Sequence, residues 1–126
     1  MKKTIIISTI ALCLSIVTVS AKPVSPVSYH TESVFKVSPF CLSIVKGDFE
    51  TVKKLIDLGA DIHGKSDGMT PVMYAARFNR VEILQLLISK GVNLKAKSDQ
   101  GLTALKYAEL SNALEALSVI KEALDK

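Results

Sequence analysis

Cysteine and histidine are scarce in this 126-residue chain, which carries two of each. Cys13 lies in an apolar opening stretch that is expected to be removed, so only Cys41 reaches the mature protein and no intramolecular disulfide is available. Stability must then come from packing. His30 sits in the polar stretch SYHTES and His63 in GADIHGKSDG. Neither has a Ser-x-Gly elbow, a glycine-rich phosphate loop or a Cys-His metal spacing beside it. Asp61, His63 and Asp67 are the nearest approach to a metal-ligand set, but polar residues in a turn are ordinarily just solvated. No metal, no cofactor and no catalytic residue is expected. The lysines Lys53, Lys54, Lys65, Lys90, Lys95, Lys97 and Lys106 are scattered with acids among them and lack an aromatic array for bases to stack on, so nucleic acid is not an expected partner.

What the chain does have begins with MKKTIIISTIALCLSIVTVSAKP. Lys2 and Lys3, an uncharged run and Val19-Ser20-Ala21 stand in the order of a secretory signal peptide, with cleavage expected after Ala21. Residues 1–21 are read as that signal, 22–37 as a flexible lead, and the protein as exported, either periplasmic or secreted. The uncharged run from Thr4 to Ala21 is 18 residues, the lower limit for spanning a bilayer, so a retained anchor is the alternative. After cleavage no membrane attachment is expected. Losing Lys2 and Lys3 takes Lys plus Arg from 16 to 14 against 12 acids, a net charge of +2. In the lead, Pro23 and Pro26 argue against a helix, while Val34, Phe35 and Val37 are candidates to cover the open end of the folded part that starts at Ser38.

The rest of the chain repeats itself. Thr70, Val72, Tyr74, Ala75, Asn79 and Glu82 fall on Thr103, Leu105, Tyr107, Ala108, Asn112 and Glu115 at a shift of 33. Ser38, Pro39, Gly47 and Glu50 fall on Thr70, Pro71, Asn79 and Glu82 at a shift of 32, the difference being Gln100, which extends KSDGMT to KSDQGLT. Such periods mark stacked supersecondary units. Ser38, Thr70 and Thr103 are placed to cap starting helices, with Pro39 and Pro71 at the first helical position. Gly47, Asn79 and Asn112 suit the left-handed backbone at a helix stop. A second helix in each unit carries an apolar stripe: Phe49, Val52, Leu55 and Ile56; Val81, Leu84, Leu87 and Ile88; Leu114, Leu117 and Ile120. Ile83 and Leu86 make the middle one apolar nearly all round, so it needs neighbours on both sides. Lys121 stands where Ile56 and Ile88 stand, as befits a closing cap.

TPVMYAA, the turns GADIH and GVNLK, and DQGLT resemble the ankyrin repeat, a turn and two antiparallel helices of about 33 residues. The resemblance implies an all-α fold, a short ankyrin-type solenoid of three helix-turn-helix repeats with hairpin-like loops, the repeats covering approximately 38–66, 67–99 and 100–126. Its signature histidine is replaced by Cys41, Met73 and Lys106, so the contact that residue makes between repeats is expected to be absent or remade. The family implies a binding module.

Carried over by column, the resemblance places a protein partner on the hairpin tips and the exposed side of each first helix. The positions are Val45 and Lys46 in the first unit, Met69, Arg77 and Phe78 in the middle, and Asp99, Gln100, Leu102, Leu110 and Ser111 in the last. Phe78 stands out, because an aromatic beside Arg immediately before a helix stop is a favoured interface anchor. Tyr74 and Tyr107 are expected to be half-exposed. Two alternatives stay open: a small envelope stress or redox protein using Cys41, and a structural protein that completes its core by self-association.

Overall fold

The computed structural model describes residues 36–126. The expected signal peptide, and the lead as far as Phe35, lie outside the described residues. Among these residues six helices are arranged in pairs: α1 (Pro39–Lys46) with α2 (Phe49–Asp57), α3 (Pro71–Arg77) with α4 (Val81–Ser89), and α5 (Ala104–Leu110) with α6 (Leu114–Asp125). Among the described residues the one strand-like feature is an isolated antiparallel bridge between Ser66 and Met69. No helix described is long and apolar enough to cross a membrane.

The helix ends obey their sequence signals, with one exception. Ser38 Oγ accepts from Cys41 N at 3.2 Å and Thr103 Oγ1 from Lys106 N at 3.3 Å, the N-cap bonds a hydroxyl makes at the start of a helix. Thr70 stands in the same column but does not cap through its hydroxyl. Its Oγ1 is buried without a hydrogen-bond partner, and its N–H donates to Met73 Sδ at 3.4 Å. Met73 fills the position of the missing histidine with a thioether, which accepts from the backbone but has nothing to donate to the threonine. At the other ends, Gly47, Asn79 and Asn112 all adopt φ between 54° and 74°. The residue after each closes a bond back to the carbonyl five earlier: Asp48 to Ser43, Arg80 to Ala75 and Ala113 to Ala108.

The stack forms because one helix face per pair is not enough to bury the apolar stripe. In the front row α3 packs on α1 and α5, and in the back row α4 packs on α2 and α6. Ile44, Val52, Val72, Met73, Ile83, Leu84, Leu87 and Ile120 are fully buried in the shared core. As expected of a helix apolar nearly all round, α4 has neighbours on both sides. The stripe expected on α6 is shifted: Ala113, Ala116 and Ile120 are buried, Leu117 is half-buried and Leu114 is 65% exposed. Lys121, in the column of Ile56 and Ile88, is exposed on the same helix.

Two neighbouring side chains tie the repeats together. Arg80 reaches back, donating from Nε and Nη2 to the Val45 carbonyl at 2.9 and 2.7 Å. Asn79 reaches forward, its Oδ1 accepting from Ala116 N at 3.0 Å. Ala116 is the third residue of α6, and the residue before that helix is Ala113, which has no polar side chain. The cap of α6 therefore comes from the preceding repeat.

Candidate binding face

The hairpin tips are built by local turn chemistry. Asp67 and Gly68 both take positive φ, 49° and 80°, between the paired Ser66 and Met69, which is the two-residue turn that suits a right-twisted hairpin. The next tip is one residue longer, as the extra Gln100 predicts: Ser98 N donates to Leu102 O at 2.8 Å and Gly101 takes φ 78°. The tips are joined by Asp99 N donating to Gly68 O at 3.0 Å and by an exposed ion pair, Lys65 Nζ to Asp99 Oδ1 at 3.0 Å. Gly68 is favoured here by its φ of 80°, and a side chain in its place would crowd the Asp99 side chain at about 3.0 Å.

The first helices hold these tips with buried tyrosines, contrary to the half-exposed packing expected. The hydroxyl of Tyr74 donates to Ser66 O at 2.7 Å, and that of Tyr107 lies 2.9 Å from Ser98 Oγ. Each ring is buried against the core while its polar end is satisfied on the hairpin. Desolvation pushes the Tyr74 hydroxyl up to about 12, so it stays protonated at any physiological pH. Sequence reasoning missed this brace, although both tyrosines come after a Lys-Ser-Asp triplet whose serine they contact.

Between the tips and α3 lies a depression of about 430 Å³, which brings together Met69, Arg77, Asp99 and Gln100 of the expected residues and adds Asp67 and Tyr107. Met69 is a floor residue rather than an exposed one, 7% exposed, because its backbone pairs with Ser66 and turns the side chain inward. Arg77 Nη1 is 3.9 Å from Met69 Sδ, and the guanidinium lies 5.6 Å from the centre of the Phe78 ring. Phe78 itself is 40% exposed. Of the remaining positions, Leu110 is 65% exposed, Lys46 and Ser111 are exposed, and Leu102 is half-buried. These four line no part of the depression. Val45 is half-buried, its carbonyl committed to Arg80, so it offers less surface than expected.

Cys41 is 1% exposed, and burial raises its thiol pKa, with hydrogen bonds to Ser38 and Ser66 acting against the rise. A reactive thiol needs exposure and a depressed pKa, so its environment is that of a packed apolar residue. Among the described residues no three His, Cys, Asp or Glu side chains gather to hold a metal.

Three helix pairs sharing one core, with hairpins projecting along one edge, define a helical-repeat solenoid of the kind that presents a surface to other proteins. The chain belongs to the ankyrin-repeat family: a family model of three ankyrin repeats matches residues 40–125. It is 37% identical over 73 residues to human ankyrin repeat and SOCS box protein 11, a match covering 58% of this chain and 23% of that protein. It is 32% identical over 98 residues to human transient receptor potential cation channel subfamily A member 1, covering 75% of this chain and 9% of the channel. Among solved structures it is similar to a chain from the complex of the Bdellovibrio bacteriovorus predatory endopeptidase Bd0816 with immunity protein Bd3460. That match has a TM-score of 0.65 and 32% identity and covers 69% of this chain and 47% of the other. The chain spans less than a quarter of the first of these relatives and about half of the structural neighbour. The ankyrin fold makes it a protein–protein interaction module.

Proposed function

We propose that this is an exported, non-catalytic module that grips a folded protein partner with Phe78, Arg77 and the depression that Arg77 lines. The observation that carries the reading is Phe78, an aromatic ring that remains 40% exposed at the end of a helix otherwise buried on nearly every side. Arg77 lies over one face of the ring, and aromatic-arginine pairs of this kind recur as anchors of binding energy. Tyrosine braces hold the adjoining tips in place before binding, so little ordering entropy is lost when a partner docks. Asp67 and Asp99 beside Arg77 give the depression both signs of charge, which suits a protein surface better than a uniformly charged polymer. The likeness to a chain of a peptidase–immunity complex supports a protein partner, and the basic start, uncharged apolar run and small-residue end of residues 1–21 support export.

Capture from the native cell envelope tests the reading. Wild-type protein should retain a partner that Phe78→Ala loses, with the melting temperature of the variant within a few degrees of wild type. A variant that melts much earlier would place Phe78 in the core, and undiminished capture would remove it from the interface.

A further inference from the structure

The turns that come after α2 and α4 share a backbone and differ in charge. Asp61 Oδ1 accepts from His63 N at 2.8 Å in the first, and Asn93 Oδ1 accepts from Lys95 N at 2.9 Å in the second. The same side-chain-to-backbone closure is thus made once with a carboxylate and once with a neutral amide. Column by column, Asp57 becomes Ser89, Leu58 becomes Lys90, Asp61 becomes Asn93, and His63 becomes Lys95, while Lys65 and Lys97 match. The first turn has two acids and one lysine, and the second has three lysines and no acid. Lys90, Lys95 and Lys97 are exposed and make no ion pair among the described residues, whereas Lys65, Lys106 and Lys126 each face a carboxylate.

Between the two turns lies a separate depression of about 240 Å³. Its apolar lining comes from Ile62, Val72, Val92 and Ala96, with His63, Thr70 and Asn93 as polar members. None of these residues lines the depression beside Arg77. Lys95 and Lys97 flank Ala96, a lining residue, in the chain, so two exposed lysines without ion pairs among the described residues adjoin an apolar recess in sequence.

We propose that this edge is a second docking surface, which receives an acidic segment of a protein partner, an apolar side chain entering the recess and carboxylates meeting Lys90, Lys95 and Lys97. Charge complementarity selects the occupant. A bilayer or nucleic acid would bring uniform negative charge over Asp61 as well, within the ~10 Å reach of unscreened charge at about 0.1 M salt. A short peptide segment places its carboxylates on the basic turn alone. The surface shares no residue with the Phe78 and Arg77 site, so the two readings stand or fall separately.

The test is a titration of the isotope-labelled purified protein with the blocked peptide acetyl-Glu-Asp-Leu-Asp-Glu-amide, monitored by amide chemical shifts, with the same peptide carrying Lys at its acidic positions as control. Shifts should concentrate on Ile62, Val92, Asn93 and Ala96. Affinity should fall at least about tenfold in Lys90→Gln/Lys95→Gln/Lys97→Gln, as three exposed pairs together contribute. It should fall similarly at about 1 M salt, where the screening length is ~3 Å. All three lysines are exposed, so the variant should keep the wild-type melting temperature. Absence of shifts, equal binding of the lysine peptide, unchanged affinity in the triple variant, or shifts centred on Asp67 and Gln100 would each overturn the proposal. So would sedimentation of the wild type, but not the triple variant, with phosphatidylserine vesicles while the peptide leaves the spectrum unmoved.

Discussion

The middle repeat is covered on both sides and the last repeat on one, and residues in matching columns diverge accordingly. Leu84 is fully buried, while its counterpart Leu117 is half-buried. Val81 is half-buried, while its counterpart Leu114 is 65% exposed. The same residue type at the same phase of the same helix thus does different work, because burial in a solenoid belongs to the interface between units rather than to the unit. Polar groups divide the same way. Thr103, in the last unit, caps its helix, whereas the Thr70 hydroxyl, in the middle, has no hydrogen-bond partner among the protein's own groups.

The largest expected contrast is in the core. Leu84→Ala should cost about 2–5 kcal/mol in urea unfolding, the range for a buried leucine leaving a cavity, whereas Leu114→Ala should stay within about 0.5 kcal/mol. Equal losses would show that the last repeat is packed as tightly as the middle one. A step smaller is Asn79→Gly, which keeps the left-handed backbone of that position but removes the cap that α6 receives from the preceding repeat and should cost about 1 kcal/mol. Amide hydrogen exchange should speed up first at Ala116 and the opening turn of α6, and acceleration confined to the turn around Asn79 would contradict the capping role. The smallest and most pointed contrast pairs two threonines. Thr103→Val should destabilise by about 1 kcal/mol through its lost cap. Thr70→Val should be neutral or slightly stabilising, since a buried hydroxyl without a partner costs more than a methyl of the same shape. A cost at Thr70 matching that at Thr103 would mean that its hydroxyl has a partner after all.

Features fixed by local backbone chemistry were legible in the sequence. Helix starts at Ser38 and Thr103, left-handed stops at Gly47, Asn79 and Asn112, and the longer second tip at Gln100 all result from what a residue does to its own few neighbours. What escaped was set by how far a side chain reaches once the repeats are stacked. Nothing local says that Asn79 will cap a helix 37 residues ahead, that Arg80 will hold a carbonyl 35 residues behind, or that two tyrosines will brace two hairpins. At the candidate site the pairing of Arg77 with Phe78 was readable because they are adjacent. Asp67 and Tyr107 were missed because they join the depression only when neighbouring repeats converge. The charge reversal between the two turns was visible in the aligned columns. Its context was not, since the recess between them exists only in the stack.

The forward reach of Asn79 gives the array a direction. Its donor partner lies later in the chain, so a ribosome delivers the acceptor first and the helix that needs it afterwards. Shortening the protein from its carboxyl end would leave Asn79 facing water at no penalty, whereas deleting the middle unit would leave the final helix with an unprotected beginning.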